Sequence, residues 1–173
     1  NVTPGLGERP EVWLLVSSQQ GAEFAAQFGL PMSLAYFINQ DCLEFAKYYR
    51  DNFVPSVFSS DPRISVGIFS ICAETDTEAE ELALSASMWR QNSQRGLFAP
   101  FPTLDEAKGS IKLNNTDDKE NRTFVGSPET VQEKLQPLLE EVQPEELKII
   151  TICEPFLARK KSYDLIKNIF NAN

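Results

Sequence analysis

The stretch Val12-Trp13-Leu14-Leu15-Val16-Ser17-Ser18, continued by Ala22, Phe24, Ala25, Ala26 and Phe28 and closed by Gly29, decides how the chain is read. A short unbroken apolar run is the pattern of a strand covered on both faces, as in a parallel sheet. Ser17 and Ser18 offer N-cap hydroxyls. The alanines and phenylalanines make a compact helix, and Gly29 suits the left-handed residue that ends one. The result is one βα unit.

The pattern recurs along the chain. A second strand is expected from Met32 to Ile38, with Pro31 at its mouth, and Asn39 or Asp41 can cap a helix from Cys42 to Phe53. Its Leu43, Phe45, Ala46 and Tyr49 roughly follow the helical period. Pro55 and Pro62 bracket a loop before a third strand, Ile64 to Cys72. Thr75 and Glu78 then have capping-box spacing, and the acids around them suit the positive end of a helix dipole. That helix should run to about Gln94-Arg95 and end near Gly96. Ser127-Pro128-Glu129 starts another helix, with Val131, Leu135, Leu138 and Leu139 inward and Pro137 expected to kink or divide it. A strand from Leu147 to Cys153 and a helix from about Pro155 through Ile169 complete the series. From Leu97 to Arg122 no clean period appears, so residues 97–123 read as one long loop, a length that usually serves function or motion.

Four strand-then-helix units in series mean an α/β fold with parallel strands. Two architectures fit: a four-stranded doubly wound sheet, or half of an eight-fold βα barrel. A complete barrel takes about 250 residues, and the chain has 173.

Composition removes several classes of function. There is no histidine, which excludes Ser-His-Asp triads, His-assisted cysteine nucleophiles and histidine metal ligands within the chain. Cys42, Cys72 and Cys153 form no CxxC pair, and they read as reduced, buried thiols of an intracellular, cytoplasmic protein. A net charge of −9 argues against nucleic-acid binding. No apolar run approaches the roughly 20 residues that span a bilayer, and no signal peptide is expected. With Asn1 and not Met at its start, the expectation is a processed or trimmed piece of something longer. The twelve Phe either pack a core or line an apolar pocket.

Several segments together resemble the luciferase-like flavin-dependent monooxygenases. They are Val12 to Ser18 with Ala25-Ala26-Gln27-Phe28-Gly29-Leu30-Pro31-Met32, then Cys72-Ala73-Glu74-Thr75-Asp76-Thr77-Glu78-Ala79-Glu80, then Val125-Gly126-Ser127-Pro128-Glu129-Thr130-Val131 with Lys134-Leu135, and Glu145-Glu146-Leu147-Lys148-Ile149. Their order and spacing hold over almost the whole chain. The resemblance implies the C-terminal half, units five to eight, of a TIM-type (β/α)8 barrel whose first four units are missing. It also implies a parent enzyme that takes reduced FMN, with deazaflavin in some relatives, and oxygenates a small organic substrate with O2. A flavin reductase or another NAD(P)H-linked source would deliver the reduced flavin. The alternative is a non-catalytic half-barrel, a flavin-binding or assembly module that pairs with a second copy or with the missing N-terminal half.

Individual residues carry two readings each. Ser17 and Ser18 are either plain N-caps or part of an anion site built from backbone N–H groups and hydroxyls. The resemblance implies contact with the FMN phosphate, although Val16 stands where many relatives have Gly. Gln20 and Gly21, one turn on, could reach the same anion. Tyr36 at a strand end is an ordinary core aromatic by its residue type; by resemblance it falls near the isoalloxazine, with Phe37-Ile38 where many relatives place His. Ser127-Pro128-Glu129 is read as capping, since Glu129 repels a phosphate. The acids from Glu74 to Glu81 read as dipole complement and solvated surface, with no metal expected. Leu97-Phe98-Ala99-Pro100-Phe101 either packs over a ligand or anchors a surface loop. Lys160-Lys161 reads as a solvated face. No catalytic side chain is assigned.

Overall fold

The computed structural model describes residues 10–40, 42–111 and 123–171. In chain order its elements are β1 (Leu14–Val16), α1 (Gln19–Phe28), β2 (Met32–Ala35), α2 (Cys42–Asn52), β3 (Ile64–Cys72), α3 (Asp76–Gln94), α4 (Leu104–Ile111), β4 (Thr123–Gly126), α5 (Pro128–Val142), β5 (Glu146–Ile150) and α6 (Phe156–Asn171). Strands β1, β2, β3 and β4 neighbour one another in that order, and β5 also pairs with β3. The β1–β2 and β3–β4 pairs are parallel, with Leu14 opposite Met32 and Phe69 opposite Thr123. The α/β class with parallel strands therefore holds. The chain groups into two compact units, and β3 runs from the first into the second at Val66–Gly67. No helix among the described residues is long and apolar enough to cross a membrane.

In the first unit, Ala22, Ala25 and Ala26 are buried on α1, and small side chains there allow the backbone a close approach. Gly29 ends the helix at φ 60°, its N–H returning to the carbonyls of Ala25 and Ala26. Ser56 Oγ donates to the Gly29 carbonyl at 2.8 Å and Val54 N–H to the Ala26 carbonyl at 2.9 Å, tying the chain after α2 to the end of α1. The phenol of buried Tyr49 donates to the Leu30 carbonyl at 2.9 Å and accepts the Arg63 N–H at 3.1 Å. Arg63 in turn pairs with Glu11 and Glu145 and lies 4.9 Å over the Trp13 ring.

Two expectations are corrected here. The Val12–Val16 run does not form a strand covered on both faces: β1 takes only Leu14–Val16, and Leu15 is 62 % exposed. Successive side chains alternate in a strand. Val16 goes beneath α1 and Leu15 to the opposite face. The second strand ends at Ala35, not Ile38, because the Ile38 and Asn39 N–H groups fold back to the Ala35 carbonyl as a turn.

In the second unit, Ile71, Ala73, Ala79, Leu82, Ala83, Ala86, Val125 and Cys153 form one buried cluster, with Phe101 packed against it. Phe101 is thus the anchor of the Leu97–Phe101 segment, while Phe98 stands in solvent. Thr75 caps α3 by accepting the Glu78 N–H at 3.2 Å. Within the stretch read as a loop, Leu104–Ile111 is a helix. Its start is a capping box in which Thr103 Oγ1 accepts the Glu106 N–H at 3.3 Å and the Glu106 carboxylate accepts the Thr103 N–H at 2.8 Å. The rest of that stretch, 112–122, lies outside the described residues, as does Asp41.

Strand β4, also unforeseen, makes the strands five among the described residues where four are expected. Pro137 does not divide α5, which runs unbroken from Pro128 to Val142. The proline costs about 3 kcal/mol, whereas Val131, Leu135, Leu138 and Val142 are all buried on that helix at roughly 1.5–3 kcal/mol each. Strand β5 stops at Ile150 instead of Cys153. The next amide, Thr151 N–H, donates to the Tyr163 hydroxyl of α6 at 3.0 Å, not to a neighbouring strand.

Candidate functional site

The turn from β1 into α1 is built by Ser17 and Ser18. Ser18 has extended backbone (φ −144°, ψ 158°) and caps α1, its Oγ accepting the Gly21 N–H at 3.3 Å and its carbonyl the Ala22 N–H at 3.2 Å. Helix geometry gives the N–H groups of Gln19 and Gln20 no intrahelical acceptor. The Ser18 hydroxyl keeps its own proton to donate, and the residue is exposed. Gly21 packs onto the strand: a Cβ there would stand 3.3 Å from Val16 Cγ1.

Electrostatics sets this helix start, together with that of α6, apart from the other four described helices. The first turns of α2, α3, α4 and α5 carry Glu44, Asp76 with Glu78, Asp105 with Glu106, and Glu129. The first turn of α1 carries no acid. Its dipole, worth about half a positive charge, is therefore left uncompensated by side chains of its own turn. An anion fits such a start; a carboxylate-capped start repels one.

Tyr36 is half-buried in the turn after β2. In the β1–β2 register Val16 stands opposite Leu34, so the Ser17-Ser18 turn and the turn holding Tyr36 leave neighbouring strand ends on the same side. A hydrogen bond joins them, from Asn39 Nδ2 to the Ser17 carbonyl at 3.1 Å. The structure thus brings together Ser17, Ser18, Gly21 and the 36–39 turn. Gln20 is placed differently: it lines an open groove on the outer side of α1 with Phe24, Phe28 and Tyr48. Asn39, read as a cap for α2, is the residue missed here. No local signal could reveal a bond spanning 22 residues.

Other candidates resolve plainly. Ser127 caps α5, and its N–H donates to Asp76 Oδ1 at 2.7 Å, which leaves no anion site at that start. Cys72 and Cys153 are free, buried thiols. Burial, aided by Glu129, Glu74 and Asp76, pushes the Cys72 thiol up to about 11, so it stays protonated at neutral pH. Burial raises Cys153 as well. Between β3 and α3, Phe69, Ile71, Trp89 and Arg90 enclose a hollow too small for a ligand, closed by a 2.6 Å bond from Arg90 to Thr123.

These features can be set beside known proteins. No protein-family model matches the chain. Over 171 residues, 96 % of this chain and 51 % of the relative, it is 31 % identical to the luciferase-like monooxygenase of Escherichia coli (strain K12). The crystal structure of apo-MsnO8 superposes with a TM-score of 0.91 at 29 % identity, covering 99 % of this chain and 54 % of that one. The chain is a homologue of the luciferase-like monooxygenases. The fold is shared more widely. The oxygenating constituent of 3,6-diketocamphane monooxygenase from Pseudomonas putida, a type II Baeyer-Villiger monooxygenase solved in complex with FMN, matches at a TM-score of 0.55 and 20 % identity. That match covers 83 % of this chain and 43 % of that one. The α/β fold accordingly matches part of a TIM-type barrel, the fold of its luciferase-like neighbours. The chain spans about half the length of the curated relatives it matches.

Proposed function

We propose that this chain is the C-terminal, flavin-phosphate-holding part of an FMN-dependent luciferase-like monooxygenase acting on a small organic substrate. The observation that carries this reading is the start of α1: two serines, open N–H groups and no first-turn carboxylate at the C-terminal end of a barrel strand. In this reading the Ser17 and Ser18 hydroxyls and the Gln19 and Gln20 amides bind the phosphate. Asn39 fixes the Ser17 carbonyl, and the Tyr36 ring borders the flavin. Gln20 contributes through its backbone, since its side chain lines the outer groove. Bound reduced flavin supplies the electrons and carries the oxygen chemistry with O2, and the protein binds, orients and excludes water. FMN is favoured over deazaflavin by the FMN complex of the Pseudomonas putida protein. A flavin reductase would deliver the reduced cofactor in the cytoplasm.

A second reading has its own observation. Among the described residues strand β1 has one strand neighbour, β2, and it leaves Leu15 largely in solvent, so the chain works best with that face covered. It would then be a flavin-binding or assembly module whose turnover needs the missing half of the barrel.

The test is a titration of the chain with FMN, followed by fluorescence anisotropy, against riboflavin as the phosphate-free control. Saturable binding of FMN over riboflavin, lost in Ser17→Ala/Ser18→Ala, is expected. Equal binding of both flavins, or binding indifferent to the serines, overturns the phosphate assignment.

A further inference from the structure

Phe156, Tyr163 and Phe170 follow one another along α6 at intervals of seven residues, and Lys160 and Lys167 fall four residues after the first two. In a helix the spacings i, i+4, i+7, i+11 and i+14 keep to one side, so the five side chains make a stripe about 21 Å long. All five residues are exposed, the three aromatics between 41 % and 65 %. Two of the rings are held in place. The Tyr163 hydroxyl accepts the Thr151 N–H at 3.0 Å, and the Arg159 guanidinium lies 5.2 Å over the Phe156 ring. Phe170 borders a cleft of about 120 Å³ between α5 and α6, lined also by Leu135, Leu139 and Ile169, with exposed Gln132 and Gln136 at its rim. A cavity of ~150 Å³ takes a benzene ring, so this cleft has room for one apolar side chain.

Charge and period point to the occupant. The chain as a whole is at −9, yet α6 carries four bases and a single acid, Asp164. Lys161 is paired with Glu74 at 3.1 Å, whereas Lys160 and Lys167 have no ion-pair partner among the described residues. Distant acids do not cancel this local field, because exposed charges are largely screened beyond ~8 Å at physiological salt. Glu129, Glu133 and Glu140 lie on the exposed side of neighbouring α5, and packed helices are ~8–10 Å apart. A flat anionic bilayer would meet those acids together with the lysines; a single helix laid along the stripe meets the lysines. A second copy paired across α6 would set lysine on lysine. The seven-residue period is itself that of a helix seam, where apolar knobs alternate with charges that select the partner. We propose that the Phe156–Phe170 stripe of α6 docks an acidic amphipathic helix of another protein, which inserts one apolar side chain into the α5–α6 cleft and sets carboxylates against Lys160 and Lys167. The three rings offer on the order of 300 Å², which reaches the size of a surface patch with a function and suits a transient contact.

Fluorescence anisotropy of the 173-residue chain with a fluorescein-labelled synthetic peptide tests this. The probe is an amphipathic helix with Leu at its seam positions and Glu beside them. Saturable binding is expected, weaker at high salt and absent for the same peptide with Lys in place of Glu. Lys160→Glu and Lys167→Glu should each weaken it roughly twofold to fivefold, and Phe170→Ala roughly tenfold. Lys47→Glu on α2 changes the net charge equally and should leave binding as it was. The lysine variants decide the question even if Phe170→Ala disturbs the packing of α5 on α6. No saturable binding, equal binding of the Lys-bearing peptide, or an equal loss with Lys47→Glu overturns the proposal. So does co-sedimentation with phosphatidylserine–phosphatidylcholine vesicles that is lost in the Lys160 and Lys167 variants, which would make the stripe a membrane face, or self-association of the chain lost in the same variants.

Discussion

Asn39 donates its side-chain amide to the Ser17 carbonyl at 3.1 Å, and so ties the turn after β2 to the turn that opens α1. One such bond contributes about 1 kcal/mol. Asn39→Ala should lower stability by about that amount and weaken FMN more than riboflavin, because it frees the turn that carries the serines. Asn39→Asp keeps the shape but sets a carboxylate oxygen against a carbonyl, and should be at least as damaging. Thermal melts and flavin anisotropy on the same samples check both.

Gly29 cannot be replaced at low cost. Its φ is 60°, and a Cβ there would lie 2.3 Å from the Val54 carbonyl oxygen and 2.6 Å from Ser56 Cβ. Gly29→Ala should cost roughly 3 kcal/mol. Gly96 is the control, with φ 73° but open space around its Cβ position. There the substitution should cost only the left-handed backbone term, about 1–2 kcal/mol. Urea denaturation of the two variants separates clash from conformation.

Asp76 accepts the Ser127 N–H at 2.7 Å, and this bond, with the Thr130 hydroxyl, holds its carboxyl below the usual aspartate range. A carboxylate lowered in the folded state adds stability above its unfolded pKa, and that stability drains away as pH falls through the folded value. Stability should therefore drop on acidification below the ordinary aspartate range, and Asp76→Asn should flatten that part of the profile. Denaturant midpoints across an acid pH series measure it.

Cys72 has the opposite sign. Its raised thiol pKa stabilises the folded chain fully below the ordinary cysteine range, and this contribution fades as pH climbs towards about 11. Ellman's reagent at neutral pH should leave Cys72 and Cys153 unreacted until denaturant is added. Rapid native labelling of either would contradict their burial.

Much of this architecture is legible in short spacings. The serine cap of α1, Gly29 at its end, the Thr75–Glu78 cap, Ser127 before Pro128 and the full extent of β3 each depend on residues a few positions apart, where backbone hydrogen bonds and side-chain periods are local. The Thr103–Glu106 capping box was also present in the sequence. The prolines and glycine around it hid it, because breaker residues weigh against a helix of only eight residues.

What tertiary structure alone decided is non-local. Strand β4 is four residues long and exists through its ladder to Phe69–Cys72, some fifty residues away. Leu15 looks like a core residue in sequence, but its exposure depends on what lies over its face of the sheet. The Asn39–Ser17 bond follows from the parallel register of β1 and β2, which places two distant turns side by side. Caps and helical periods are set by neighbours along the chain. Register, burial and the pairing of turns are set by which strands meet, and only the folded chain determines that.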